Sequence, residues 1–204
     1  EHLGHGQSKT AFELHSPGAH FHGKVFKVAK SRDMEVSVFM QAAQAGLPTG
    51  VLYNCDGIDA DSGRRFHCWI TDRTIPLDEF CRNDDVIRSR CSLAAFYCML
   101  RAARRGLYLS DCHFFNFGVH LSENATEHLV VIIDAGSKGI HSDAQWRKSE
   151  INTKVMHKFW KACDEASASC DELQDMWRNS LNIEQCFQRA TEAWQAWPWL
   201  TQWP

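Results

Sequence analysis

No apolar run in the 204-residue sequence approaches the roughly 20 residues that a membrane-spanning helix needs, so no segment is expected to cross a membrane. The sequence also lacks a strong charge imbalance, since its formal net charge is −3. The small basic group at Arg101, Arg104 and Arg105 is typical of the solvated face of a helix. We therefore expect a soluble protein with no membrane or nucleic-acid partner.

The nine cysteines include no Cys-x-x-Cys pair. Cys91, Cys98 and Cys163 fall at core-like positions of apolar helical patterns, which favours buried free thiols in a reducing compartment over disulfides. Several histidines crowd the first 22 residues, but no acid or cysteine at metal-ligand spacing accompanies them. Apolar residues make up 44% of the chain and charged residues 23%, which is typical of an ordinary soluble domain.

The sequence has no P-loop, because that motif requires a glycine directly before Lys-Ser/Thr and here Ser8 precedes Lys9-Thr10. A different set of polar residues is present. Asp111 is followed by Asn116, and Asp134 ends an apolar run in an Asp-x-Gly sequence. Phosphoryl-transfer kinases carry their catalytic groups in this order along the chain. A first carboxylate orients the attacking hydroxyl, and an amide and then a second carboxylate hold the metal ions.

The kinase order also requires a glycine-rich turn upstream, and the first ten residues offer one. Gly4 and Gly6 allow the backbone to approach phosphates, and the turn continues through Gln7 and Ser8. The usual third glycine is Lys9 in this chain. We assign these five residues to nucleotide binding.

A strand lysine and a helix glutamate should follow the turn. Residues 23–29 read as a β-strand, and we choose Lys27 over Lys24 and Lys30 because it shares a strand face with small apolar neighbours. Glu35 opens the next apolar helical pattern and is the expected ion-pair partner of Lys27. Lys27, Glu35 and Asp111 are the predicted catalytic residues, and Asn116 and Asp134 the predicted metal ligands, for MgATP.

The N-terminal third reads as a β-rich lobe with one helix. Strands are predicted at about 1–4, 10–15, 23–29, 50–55 and 65–71, with a helix at about 34–44. Asn54–Gly57 and Asp61–Gly63 supply turn chemistry between the last two strands. Backbone groups near Thr71 and Arg73 would then hydrogen-bond adenine where the chain crosses to the second lobe, and Trp69 would wall the back of the pocket.

The rest of the chain reads as mainly helical. Asp84 and Asp85 cap a helix over about 85–105 that Gly106 ends. The runs at 119–121 and 129–133 predict a hairpin with Asn116 and Asp134 at its two ends. Two further amphipathic helices follow. Trp197, Trp199 and Trp203 then crowd the terminus, where they either pack on the lobe or form a docking patch.

On these motifs, residues 3–140 resemble the protein-kinase-like superfamily. We expect an α+β, minimal bilobal protein-kinase-like fold in one domain over 1–204. Its N-lobe would cover 1–72 and its reduced, mainly helical C-lobe 73–204. The chain has no Ala-Pro-Glu anchor. The chain resembles the miniature effector kinases that plant-associated bacteria inject through type III secretion. The resemblance rests on its size and on the motifs Asp111–Asn116 and Asp134–Gly136.

The effector resemblance implies a monomeric Ser/Thr protein kinase that phosphorylates and inactivates the host ninety-kilodalton heat-shock chaperone. It also implies secretion from a bacterium into the host cytoplasm. The chain begins at Glu1 rather than Met, which is compatible with a leader or secretion segment ahead of it.

Departures from the kinase pattern keep two alternatives open. His113 stands where protein kinases carry a lysine, as in many small-molecule phosphotransferases of the aminoglycoside or choline type. Leu109-Ser110 replaces the usual His-Arg, so a phosphorylated activation loop would have no partner there. Together with the missing third glycine, this loss is compatible with a nucleotide-binding pseudokinase.

Overall fold

The computed structural model describes residues 2–5, 9–15, 20–29, 35–44, 46–47, 49–109, 113–121, 128–134, 139–141, 147–151 and 155–195. Within them, an antiparallel sheet in the N-terminal part precedes a mainly helical C-terminal part. This arrangement confirms the expected α+β class and the small kinase-like fold.

The N-terminal sheet has five strands in the described residues. They are β1 His2–His5, β2 Lys9–Glu13, β3 Val25–Ala29, β4 Val51–Ile58 and β5 Arg65–Thr71, with helix α1 at Glu35–Gln44. Their spatial order is β1-β2-β3-β5-β4, and all neighbours are antiparallel. Every predicted strand and the predicted helix are present, with ends shifted by at most three residues.

One predicted turn is wrong. Asn54–Gly57 lies inside β4, where Gly57 pairs with Phe66 on β5. A Cβ at Gly57 would collide with the Phe66 ring, so the glycine serves close cross-strand packing instead of a turn. The hairpin turns after Ile58, where the Asp59 side chain accepts two backbone N–H groups and Gly63 takes φ +66°.

Among the described residues, the C-terminal part contains six α-helices, five strands and one 3₁₀ turn. These are β6 Ile75–Pro76, α2 Leu77–Phe80, α3 Asp85–Arg104, β7 Leu107–Leu109, a 3₁₀ turn Phe114–Asn116, β8 Phe117–Leu121, β9 His128–Ile132, β10 Gly139–His141, α4 Lys148–Ile151, α5 His157–Glu165, α6 Asp171–Arg178 and α7 Ile183–Gln195. The two later predicted helices correspond to α5 and α7. The sequence patterns do not predict α6, the short helices α2 and α4, or the short strands β6, β7 and β10.

Helix α3 runs through the middle of this part. Asp84 caps it by accepting the N–H groups of Val86 at 2.9 Å and Ile87 at 3.0 Å, and Gly106 follows its end at φ +73°. Its surface is buried almost continuously from Cys91 to Leu100. The predicted caps are therefore confirmed, and the helix forms the central support of the core.

The β8–β9 hairpin packs on this support. Phe117 pairs with Ile132, and β6 adds a third strand by pairing with Val119 and Gly118. At Gly118 a Cβ would stand 2.9 Å from the Ile133 side chain and 3.1 Å from the Ile75 carbonyl oxygen. Residues 71–76, which we call the crossing segment, lead from the sheet to the helical part. Only a glycine at position 118 lets this segment lie so close to the hairpin.

Cys91, Cys98 and Cys163 are buried free thiols in the core, as predicted. Burial raises the pKa of each of the Cys98 and Cys186 thiols, the latter to about 11. Within the described part of the chain, no helix combines the length and apolar character that a membrane span requires. Trp197, Trp199 and Trp203 lie outside the described residues.

Candidate functional site

A cavity of about 450 Å³ opens between the sheet and the helical part. Residues from β2, β3, the crossing segment, the 3₁₀ turn and β9 line it. They include Ala11, Val25, Lys27, Thr71, Asp72, Arg73, Glu79, Asn116, Ile132 and Asp134. Of the predicted site residues, the cavity thus brings together Lys27, Thr71, Arg73, Asn116 and Asp134. A volume of this size falls in the range of small-molecule and cofactor sites.

Lys27 spans the cavity from the sheet to the hairpin. Its backbone pairs with Ala11 on β2 and Trp69 on β5, in the middle of the sheet. Its Nζ donates a hydrogen bond to the Ile133 carbonyl oxygen at 3.0 Å, 106 positions away in the sequence. The ammonium group therefore lies beside the residue that precedes Asp134, on the strand face expected from period-2 alternation.

Asn116 and Asp134 are adjacent at the open end of the β8–β9 hairpin. The Asn116 carbonyl oxygen accepts the N–H of Ile133 at 2.9 Å and that of Asp134 at 3.3 Å. The Asn116 side-chain nitrogen lies 3.2 Å from His113 Nε2. Both side chains line the cavity and are half-buried. An amide and a carboxylate are thus presented together on the side of the cavity opposite the sheet.

The donor set at this end fits a magnesium ion. Mg²⁺ prefers oxygen ligands and is held by one or two carboxylates together with substrate phosphates and water. Asn116 Oδ1 and the Asp134 carboxylate are oxygen donors of this kind. Among the described residues no three His, Cys, Asp or Glu side chains gather into a metal-binding group.

Several predicted residues are described only in part or not at all. Gly4 lies in β1 opposite Ala11. Lys9 begins β2 and Glu35 begins α1, but the side chains of these two residues are outside the described part. Gly6, Gln7, Ser8 and Asp111 lie outside the described residues altogether. The predicted Lys27–Glu35 ion pair and the catalytic role of Asp111 therefore stay predictions.

One backbone donor in the crossing segment makes a hydrogen bond within the protein. The Asp72 N–H donates to the Gly50 carbonyl oxygen at 3.0 Å, so it is already bonded within the protein. The buried Thr71 and the exposed Arg73 flank it and line the cavity. The adenine contacts expected from Thr71 and Arg73 stay predictions.

Two ion pairs fasten the sheet to the crossing segment. Lys24 Nζ lies 2.6 Å from Asp72 Oδ1, and Arg73 Nη1 lies 2.9 Å from a Glu13 carboxylate oxygen. His120 Nε2 on β8 is also 3.9 Å from the Asp72 carboxylate. Lys24, which the strand pattern does not favour as the nucleotide-binding lysine, thus forms an ion pair with Asp72 at the rim of the cavity.

Sequence reasoning placed one cavity wall wrongly. Trp69 is fully buried and clusters with Ala29, and it is not part of the cavity lining. The walls on the sheet side are instead Leu3, Ala11 and Val25. Period-2 alternation of the predicted strands would have indicated Ala11 and Val25, since they share the strand face of Lys27. Glu79 also lines the cavity, but its sequence position carries no such signal.

No protein-family model and no curated protein matches the sequence. Among solved structures, the chain is similar to "WaaP in complex with acyl carrier protein", with a TM-score of 0.59 and 14% sequence identity. The match covers 97% of this chain and 85% of that chain. This likeness supports a protein-kinase-like fold.

Proposed function

We propose that this protein is a MgATP-dependent Ser/Thr protein kinase. The observation that carries the proposal is the bond from Lys27 Nζ to the Ile133 carbonyl oxygen, because it brings a cation to within one residue of Asp134 and its neighbour Asn116. A cation and two oxygen ligands facing one cavity match the groups that phosphoryl transfer requires.

The division of roles follows from the chemistry of each side chain. The Lys27 ammonium is a compact positive charge that holds the α- and β-phosphate oxygens, with Glu35 as its partner. Asn116 and Asp134 would hold Mg²⁺, which when bound neutralises charge on the transferring phosphoryl group. Asp111 orients the acceptor hydroxyl. The Gly4–Lys9 turn would cover the phosphates. The apolar side chains of Ala11 and Val25, which line the cavity, would pack against the base.

The proposed partner and location rest on the resemblance of the chain to injected effector kinases. In that reading the substrate is a serine of the host ninety-kilodalton heat-shock chaperone, whose phosphorylation inactivates it. The kinase would act as a monomer in the host cytoplasm after secretion from a bacterium.

Incorporation of labelled γ-phosphate from MgATP into eukaryotic cell extract tests this function. We expect one dominant labelled band near ninety kilodaltons that disappears in Asp134→Ala. Asp61→Ala is the matched control, because Asp61 is exposed in the β4–β5 turn. Labelling that persists in Asp134→Ala, or that spreads over many bands, would contradict the assignment.

A small-molecule phosphotransferase is the second candidate. It is favoured by His113, which occupies the position of the protein-kinase lysine and approaches the Asn116 amide at 3.2 Å. The likeness to WaaP leaves this alternative open. Label that enters small hydroxylated metabolites and no protein in the same extract would decide for it.

A further inference from the structure

Cys55 and Cys68 face each other across the β4–β5 pair. They are directly opposite in the antiparallel register, and their Sγ atoms are 3.0 Å apart. Directly opposite residues in such a pair have Cβ atoms about 4.5–5.5 Å apart, close to the separation that a disulfide spans. Cys68 Sγ also donates a hydrogen bond to the Cys55 carbonyl oxygen at 3.3 Å, which holds its sulfur toward β4.

The two thiols differ in exposure. β4 is an edge strand of the sheet, and Cys55 on it is exposed, whereas Cys68 is 2% exposed. Burial raises the pKa of the Cys68 thiol to about 12, so Cys68 stays protonated near neutral pH. An exposed thiol that can react first and a buried thiol beside it that reacts second form an attacking and resolving pair.

The exposure of Cys55 distinguishes this pair from the other neighbouring cysteines. Cys81 hydrogen-bonds to Cys91, and Cys163 to Cys170, but all four are buried in the helical part. A reagent in solution has no route to those sulfurs without opening the core. Among the described cysteines, Cys55 is the exposed one.

We propose that Cys55 and Cys68 form a reversible disulfide by exchange with low-molecular-weight disulfides such as oxidised glutathione. The Cys55 thiolate attacks one sulfur of the small disulfide, forming a mixed disulfide and releasing one small thiolate. The Cys68 sulfur, losing its proton to solvent, then attacks the Cys55 sulfur and releases the second. Two protein thiols are oxidised, one small disulfide is reduced to two thiols, and the electrons balance.

The bond would fix the strand that leads into the cavity. β5 continues from Cys68 through Trp69, which pairs with Lys27, to the cavity-lining Thr71. The crosslink encloses residues 56–67, a loop of a dozen residues whose closure removes entropy from the unfolded chain. The melting temperature should therefore rise by about 5–10 °C on oxidation.

The test equilibrates the full chain in glutathione buffers from fully reduced to fully oxidised, then blocks free thiols and digests with trypsin. Trypsin cuts after Arg64 and Arg65, between the two cysteines, so the disulfide joins peptide 33–64 to peptide 66–73. We expect these joined peptides in oxidised samples, their loss on reduction, and unlinked Cys81, Cys91, Cys163 and Cys170 throughout as internal controls.

Cys55→Ser is the matched variant, because an exposed position tolerates the change with the fold intact. It should show neither the joined peptides nor the rise in melting temperature. The proposal is overturned if the joined peptides are absent at the most oxidising ratio, if the buried pairs oxidise first, or if Cys55→Ser melts with the same oxidation-dependent rise.

Discussion

Replacing one of two neighbouring strand lysines should stop phosphoryl transfer, and replacing the other should not. The variants are Lys27→Met and Lys24→Met, which make the same chemical change three positions apart. Lys27 Nζ crosses the cavity to the Ile133 carbonyl oxygen, whereas Lys24 Nζ lies at the rim on Asp72. Methionine keeps most of the side-chain length and removes the charge and the donors.

The expected losses differ in size because the two ammonium groups face different partners. Removing one preorganised donor from a transition state costs about 2.7–4 kcal/mol, so Lys27→Met should lower the transfer rate by about 10²–10³-fold. The lost bond to Ile133 also lowers stability by about 1 kcal/mol, or about 2–4 °C in melting temperature.

Lys24→Met should leave the transfer rate within about threefold of that of the unmodified chain. Its ion pair is partly exposed, with side-chain exposures of 32% for Lys24 and 19% for Asp72. Such a pair contributes only about 0–1 kcal/mol after solvent screening. His120 also remains 3.9 Å from the Asp72 carboxylate when Lys24 is replaced.

The assay is the initial rate of γ-phosphate transfer from MgATP, measured with thermal melts of all three proteins. The melts show whether a loss of activity follows from unfolding. Equal activity in Lys27→Met and the unmodified chain would refute the assignment of Lys27. A loss confined to Lys24→Met would show that period-2 alternation had selected the wrong strand face.

Four further outcomes follow from the same contacts. Chelating Mg²⁺ with EDTA should stop phosphoryl transfer and reduce the rise in melting temperature that ATP causes. Asp134→Asn should lose the Mg²⁺-dependent part of that rise. A rise that neither EDTA nor Asp134→Asn changes would contradict the metal assignment. Gly118→Ala should lower stability by about 1–3 kcal/mol, read by urea denaturation, because its Cβ meets the Ile75 carbonyl oxygen and Ile133. Asp84→Ala should cost about 1 kcal/mol in the same measurement by removing the cap of α3, with Asp78→Ala as a control lacking that role. Burial raises the pKa of Cys186 from its ordinary 9.0 to about 11, so above pH 9 this thiol ionises first in the unfolded chain. Its contribution to stability should fall by up to about 1.4 kcal/mol per pH unit between pH 9 and 11. Cys186→Ala should reduce the loss of stability in that range by this amount, while Cys68 and Cys98, whose thiol pKa values burial also raises, continue to contribute.

Features that depend on neighbouring residues were predictable from the sequence. The caps of α3 at Asp84 and Gly106 depend on local hydrogen bonding and backbone conformation, so the residue types at these positions predict them. The choice of Lys27 over Lys24 depends on alternation within one strand, which the sequence also contains. The ends of the β8–β9 hairpin at Asn116 and Asp134 followed from apolar runs and motif spacing.

Features that depend on distant partners were not predictable in the same way. Asn54–Gly57 has turn composition, yet pairing with β5 extends it into a strand, since tertiary contacts override local propensity. β6 and β10 are only two and three residues long and exist through their pairing with β8 and β7. Trp69 was placed in the cavity wall, but packing against Ala29 buries it.

The sequence by itself determined the order of the elements, the type of each candidate group and the strand face of Lys27, because these depend on residues close in the chain. Only the tertiary structure decided that Lys27 meets Ile133, that Gly50 takes the Asp72 N–H, and that Cys55 lies against Cys68. Those contacts depend on strand register and on the packing of the sheet against the hairpin. Register and packing are set by many weak contacts between distant residues, and no single segment of sequence encodes them.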